Sequence, residues 1–279
     1  MAAIPEGPFN RQQAQQVASL LQQRLFRQVA LEVWTREPDK IFTGDRDDGR
    51  HGPGALDLMR QLKSLHPMLT LTPYDLDRHA AQAAERGIEH SPTVTLRCGG
   101  RGIRTVGLFF GPFFQAFLDA LGFVSRGDSP LAPDTKARLA TIEDEVTIEA
   151  FLTPFDPISV QLIPLLAAFA VEGKRFRVTI YEASQFPILA GKRMVSQVPL
   201  IAINGRRFVG GYGEAELCEQ IVRVIEGNDE PVVRDRIFAT PYVSEDDARR
   251  ISDEQAAKAQ QGQSGAGGQT GSGLYVPGR

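Results

Sequence analysis

Two thiols are the side chains in this sequence best suited to redox chemistry, Cys98 and Cys218, and they stand far apart along the chain. No C-x-x-C pair occurs, which removes both a local redox dithiol and a four-thiolate zinc site. A Cys98–Cys218 disulfide is allowed by the count, but two reduced thiols are the expectation for a cytoplasmic chain. The histidines, His51, His66, His79 and His90, are scattered without ligand spacing. His90 precedes Pro92 by two residues, which places it beside any groove built at that proline. Residues 45–51 (DRDDGRH) lack the regular D-x-D-x-D-G spacing and the downstream glutamate of a calcium loop, so no metal is expected there.

The remaining composition narrows the class further. With 279 residues the chain is long enough for two ordinary domains, and 42% hydrophobic residues supply their cores. A formal net charge of -3 carries no electrostatic footprint for nucleic acid. No apolar run approaches the roughly 18 residues that span a bilayer, so no membrane partner is expected. The opening MAAIPEGPFNRQQ has no basic stretch followed by an apolar core, so cytoplasmic localisation is the expectation.

Periodicity predicts the elements that would position any site. Val17, Leu20, Leu21, Leu25 and Phe26 share a helical face in residues 11–28. A strand over Val29–Trp34 and a polar Gly/Pro-rich loop over 36–54 come next. A helix (Ala55–Leu65), a strand (Leu69–Thr72) and a helix near Arg78–Glu85 follow. Ser91-Pro92 heads a strand to Cys98, Gly99–Gly102 turns a hairpin into Ile103–Leu108, and Gly111–Leu121 closes as a helix. After a linker at 126–134 the order repeats. Lys136–Ile142 is helical, Glu145–Leu152 a strand, Ile158–Val171 an apolar helix and Phe176–Tyr181 a strand. A short helix near Pro187–Ala190 leads to a strand from Val198-Pro199 to Ile203. The Asn204-Gly205 turn then leads to Arg207–Val209 and a last helix at Glu214–Glu226. Each half therefore reads β-α-β-α-β-β-α, with an X-Pro at the head of its third strand. From about residue 229 the composition becomes that of a tail, in which the charged residues 245–260 read as a marginal helix and 261–273 (QGQSGAGGQTGSG) as low-complexity linker.

This order resembles the tandem thioredoxin-fold proteins, which include two-domain protein disulfide oxidoreductases and the N-terminal region of the alkyl hydroperoxide reductase flavoprotein subunit. The resemblance covers roughly residues 14–228. It implies an α/β fold of two tandem thioredoxin-like domains, each a mixed four-stranded sheet flanked by helices. The boundaries it suggests are 11–126 for a degenerate first domain, 133–228 for a glutaredoxin-like second domain and 229–279 for a flexible polar tail. The redox members carry Cys-x-x-Cys where this chain has Asp156-Pro157-Ile158-Ser159. Their cis-proline loop falls on Gln197-Val198-Pro199, and their glycine pair before the last helix on Gly210-Gly211. The strand acid of the reductase falls on Glu149. In the first half Ser91-Pro92 and Gly111-Pro112-Phe113 fit, and no cysteine occupies the dithiol region.

Dithiol exchange needs one thiolate to attack and a second thiol to resolve. A carboxylate at Asp156 and a hydroxyl at Ser159 do neither, so the expected catalytic set is empty. Asp156 at a helix N-terminus reads as a cap, with Ser159 and Glu149 as structural remnants. Backbone recognition survives the loss of cysteine. Val198, Pro199, Gly210, Gly211 and Pro92 are therefore the expected ligand-binding positions, and a peptide, glutathione or a redox protein the expected partner. The function expected is a non-catalytic thioredoxin-fold binding or scaffold protein without a cofactor. The alternative is a thiol–disulfide oxidoreductase or peroxide-detoxification component, acting through a single cysteine or in complex with a redox partner.

Overall fold

The computed structural model describes residues 7–38, 44, 46, 47, 49–233 and 238–266. The chain divides into two compact units, Met1–Tyr242 and Val243–Arg279.

In the first unit, Asn10 and Gln13 form a reciprocal capping box that starts α1 (Arg11–Arg24). The apolar pattern runs on to Phe26, but Leu25 turns extended and ends the helix. Alternating burial then makes β1 (Val29–Thr35). Pro53 sits in the first turn of α2 (Gly52–Leu65), where its missing N–H costs nothing. Next come β2 (Leu69–Asp75), α3 (Ala80–Glu85), β3 (Thr93–Cys98), β4 (Arg101–Val106) and α4 (Pro112–Arg126). Pro73 is tolerated within β2 because that strand lies at the sheet edge.

The second half repeats the order. It comprises α5 (Pro133–Thr141), β5 (Val146–Leu152), α6 (Pro157–Glu172), β6 (Phe176–Glu182) and α7 (Pro187–Lys192). The strand expected over Val198–Ile203 is divided at Pro199 into β7 (Gln197–Val198) and β8 (Leu200–Ile203), followed by β9 (Arg206–Val209) and α8 (Glu214–Ile225). Both hairpins use two residues of positive φ, Gly99 and Gly100 in one, Asn204 and Gly205 in the other, as a tight turn between twisted strands requires. The peptide bonds before Pro92 and Pro199 are both cis.

Each half has a parallel first pair and two antiparallel neighbours: β2-β1-β3-β4 in one, β6-β5-β8-β9 in the other. Both expected four-stranded mixed sheets are present, and they continue into each other. Parallel pairing of Arg104–Val106 with Thr179–Tyr181 joins β4 to β6 and makes one sheet of eight strands. Two separate sheets would each leave an unpaired edge here, and the junction removes both. On one face α4 packs against α6. Phe113, Phe117 and Leu121 lie in the same apolar core as Leu162, Leu166 and Phe169. Each such side chain, taken fully from water, contributes about 1.5–3 kcal/mol.

Beyond residue 228 the described residues form two further elements. Within the first unit Thr240–Pro241 forms β10, which pairs with β7. The second unit carries α9 (Glu245–Ala266), whose start is capped by the Ser244 hydroxyl accepting from the Asp247 N–H at 3.1 Å. No helix of the described residues is long and apolar enough to cross a membrane.

Candidate functional site: two proline loops at the ends of the central helices

Asp156 ends the loop after β5 and caps α6. Its carboxylate accepts from the N–H groups of Ile158 (3.3 Å) and Ser159 (2.8 Å) and from the Ser159 hydroxyl (2.7 Å). Both residues are buried, Asp156 to 2% exposure and Ser159 fully. The pair is thus a closed hydrogen-bonded cap, in which carboxylate and hydroxyl satisfy each other beside the free N–H groups of a helix end. Phe155, just before it, is 53% exposed.

In the second proline loop the Pro199 carbonyl accepts from the Gly210 N–H at 2.8 Å. The two glycines of the pair serve different needs. Gly210 has φ +105°, a conformation side chains avoid. Gly211 gives room instead: a Cβ there would come within 2.7 Å of Ile158 Cγ2. The first half repeats this contact. The Pro92 carbonyl accepts from Gly107 N–H at 2.9 Å, and Gly107 has φ +112°. Sequence reading placed the first-half match at Gly111-Pro112-Phe113 and passed over Gly107, although it occupies the same place after β4 as Gly210 after β9.

Glu149 on β5 is half-buried and partnered. It accepts from the Tyr181 hydroxyl at 3.1 Å and faces Arg193 at 3.5 Å. Burial first, then the Glu149 charge and hydrogen bond, push the Tyr181 phenol well above its usual range. The Tyr181 ring stacks on Phe151 at 4.7 Å, and His90 meets both Tyr181 and Phe186 edge-on. Burial holds the His90 imidazole below its ordinary value of 6.5, against the smaller opposing pull of Glu89, Asp47 and Glu149. His90 thus belongs to the junction between the halves.

Asp47 is a residue that sequence reading did not resolve. Its carboxylate accepts from the N–H groups of Ile188 (2.9 Å) and Leu189 (3.1 Å), so a loop of the first half caps α7 of the second. Asp45 and Asp48 of the same stretch lie outside the described residues. Among the described residues no group of three His, Cys, Asp or Glu side chains is placed to hold a metal ion.

At the first-half proline loop, the Ser91 hydroxyl accepts from Arg36 N–H at 2.8 Å. It also lies 3.3 Å from where a Gly52 Cβ would stand, so the start of α2 closes on the proline loop without a gap. The thiols are elsewhere and free. Cys218 is buried within α8, where burial pushes its thiol up, and Cys98 ends β3, at the opposite end from Pro92.

The β-α-β-α-β-β-α order, given twice with the same strand pairing in each half, decides the fold. The chain has the tandem thioredoxin fold. Solved structures with this tandem fold include a protein disulfide oxidoreductase from Aeropyrum pernix, 24% identical with a TM-score of 0.67, covering 81% of this chain and 98% of that one. The alkylhydroperoxide reductase AhpF from Enterococcus faecalis is 19% identical with a TM-score of 0.65, covering 76% of this chain and 99% of the other. The N-terminal domain of that protein, solved separately, gives a TM-score of 0.64 at the same identity. No family model and no curated protein matches the sequence.

Proposed function

We propose that this tandem thioredoxin-fold protein is a component of a thiol–disulfide or peroxide system that acts in complex with a redox partner. It would hold an extended segment of that partner at the Val198-Pro199 edge and leave the dithiol chemistry to the partner. The observation that carries the reading is the antiparallel pairing already made by Val198 with an extended segment, Thr240. That edge accepts backbone, and backbone pairing needs no cysteine. The reductase and oxidoreductase among the solved structures support the redox setting. Asp156 and Ser159 are spent on each other as a helix cap, which supports placing the electron transfer elsewhere.

The second reading, catalysis through one thiol, draws on the same redox neighbours. It meets a buried Cys218 and a Cys98 remote from the proline loop, neither at the helix N-terminus that activates a thiol. Two measurements on the whole chain separate the readings. With dithiothreitol as donor the protein should not accelerate insulin reduction; a rate above the control that vanishes in Cys98→Ser or Cys218→Ser would establish the thiol reading instead. In an NMR titration, a mixed disulfide of glutathione with a short extended peptide should shift resonances at 197–199 and 210–214. Silence there at millimolar ligand, with the 238–242 segment displaced, rejects the binding reading.

A further inference from the structure

The edge at β7 is already taken, by the protein itself. Residues 238–242 (Phe-Ala-Thr-Pro-Tyr) return from α8 and run antiparallel to it, with Thr240 opposite Val198 and Pro241 opposite Gln197. The Tyr242 N–H donates to the Ser196 carbonyl at 3.0 Å. Its hydroxyl donates to the Ala183 carbonyl at 3.1 Å, and its ring packs on the apolar cluster that holds Phe151, Tyr181, Phe186 and Val198. At the other end Phe238 reaches the glycine pair, its Cβ 3.8 Å from where a Gly211 side chain would begin, with the residue 58% exposed.

Both residues of β10 are exposed, and Tyr242 is the residue of the segment that packs against the apolar cluster. Segments of this kind open far more easily than the core. The short connection from Ile225 keeps it close: a tethered strand of this length competes at an effective concentration in the millimolar range, about what is needed to exclude a weak free peptide.

We propose that residues 238–242 are a built-in occupant of the peptide edge, a strap that a partner's segment must displace before it pairs with Val198. The inference rests on the peptide-edge reading above and adds the chemistry of the displacing ligand. That ligand is an extended segment with a small or β-branched residue opposite Val198 and an aromatic residue two positions later, to take the seat of Tyr242.

The test uses the full chain and an acetylated synthetic peptide of residues 238–244, Phe-Ala-Thr-Pro-Tyr-Val-Ser. Amide exchange at Tyr242 should be protected in the wild type and fast in Tyr242→Ala, with thermal unfolding reporting that the variant is folded. The peptide should bind Tyr242→Ala at least tenfold more tightly than the wild type, with shifts at Gln197 and Val198. Thr240→Gly, which leaves the apolar seat intact, should give a smaller gain in the same direction. Unprotected Tyr242 in the wild type, or equal binding to wild type and variant, overturns the strap and leaves the peptide-edge reading standing. A released strap in Tyr242→Ala with no binding at millimolar peptide overturns both.

Discussion

The two proline loops start from the same backbone and are closed in different ways. In both, the cis-proline carbonyl accepts from a glycine of positive φ, Gly107 in one half and Gly210 in the other. In the first half the closure is internal: Ser91 bonds Arg36 and fills the space against Gly52. The start of α2 has His51 as its N-cap, with no side-chain cap bond. In the second half Asp156 caps α6, and Thr240–Pro241 pairs with the strand that runs into Pro199. One half thus closes its proline loop by packing, the other by pairing a strand of its own chain along the edge.

The comparison breaks most readily at the glycines. A Cβ on Gly107 would lie 2.9 Å from Glu182 Cβ and 3.0 Å from Gln185 Oε1, in a residue already at positive φ. Gly107→Ala should therefore cost about 3 kcal/mol, combining backbone strain with overpacking at the junction of the halves. Urea unfolding measures it; a loss below about 1 kcal/mol would mean that the junction yields easily.

The two helix starts give the next largest effect. Asp156→Ala removes the cap and leaves the buried Ser159 hydroxyl without this partner, an expected loss of about 2 kcal/mol. Ser91→Ala removes a single acceptor from one backbone N–H and should cost about 1 kcal/mol. Denaturation of both variants under one set of conditions checks the order, and a larger loss for Ser91→Ala would invert the comparison.

The smallest expected effect is that of pH. Burial holds the folded His90 imidazole below 6.5. Above that value both folded and unfolded forms are neutral and the full stability is present. Below it the unfolded chain takes up a proton that the folded chain resists, so stability falls as the pH drops. Between about pH 7.5 and pH 5.5 the wild type should lose up to about 1 kcal/mol more than His90→Gln. His66, also held low by burial, is present in both proteins and cancels. Identical pH slopes would remove His90 from the junction's energetics.

Much of this protein was legible in the residues alone. Short-range signals set the β-α-β-α-β-β-α order twice, because periodicity, turn dipeptides and proline positions act within a few residues of themselves. Ser91-Pro92, Val198-Pro199 and the Asn204-Gly205 turn are of that kind, and so is the absence of a C-x-x-C pair. What only the tertiary structure decided has long-range partners. The β4–β6 pairing that fuses the sheets joins residues of different halves. Asp47 caps a helix 141 residues downstream, and Gly107 needs its glycine because of Glu182 and Pro92. The strap at 238–242 sat in a stretch whose composition reads as tail, since a two-residue strand has no periodicity of its own. Its conformation comes from the edge it covers, where Val198 offers backbone and the seat of Tyr242 offers apolar surface.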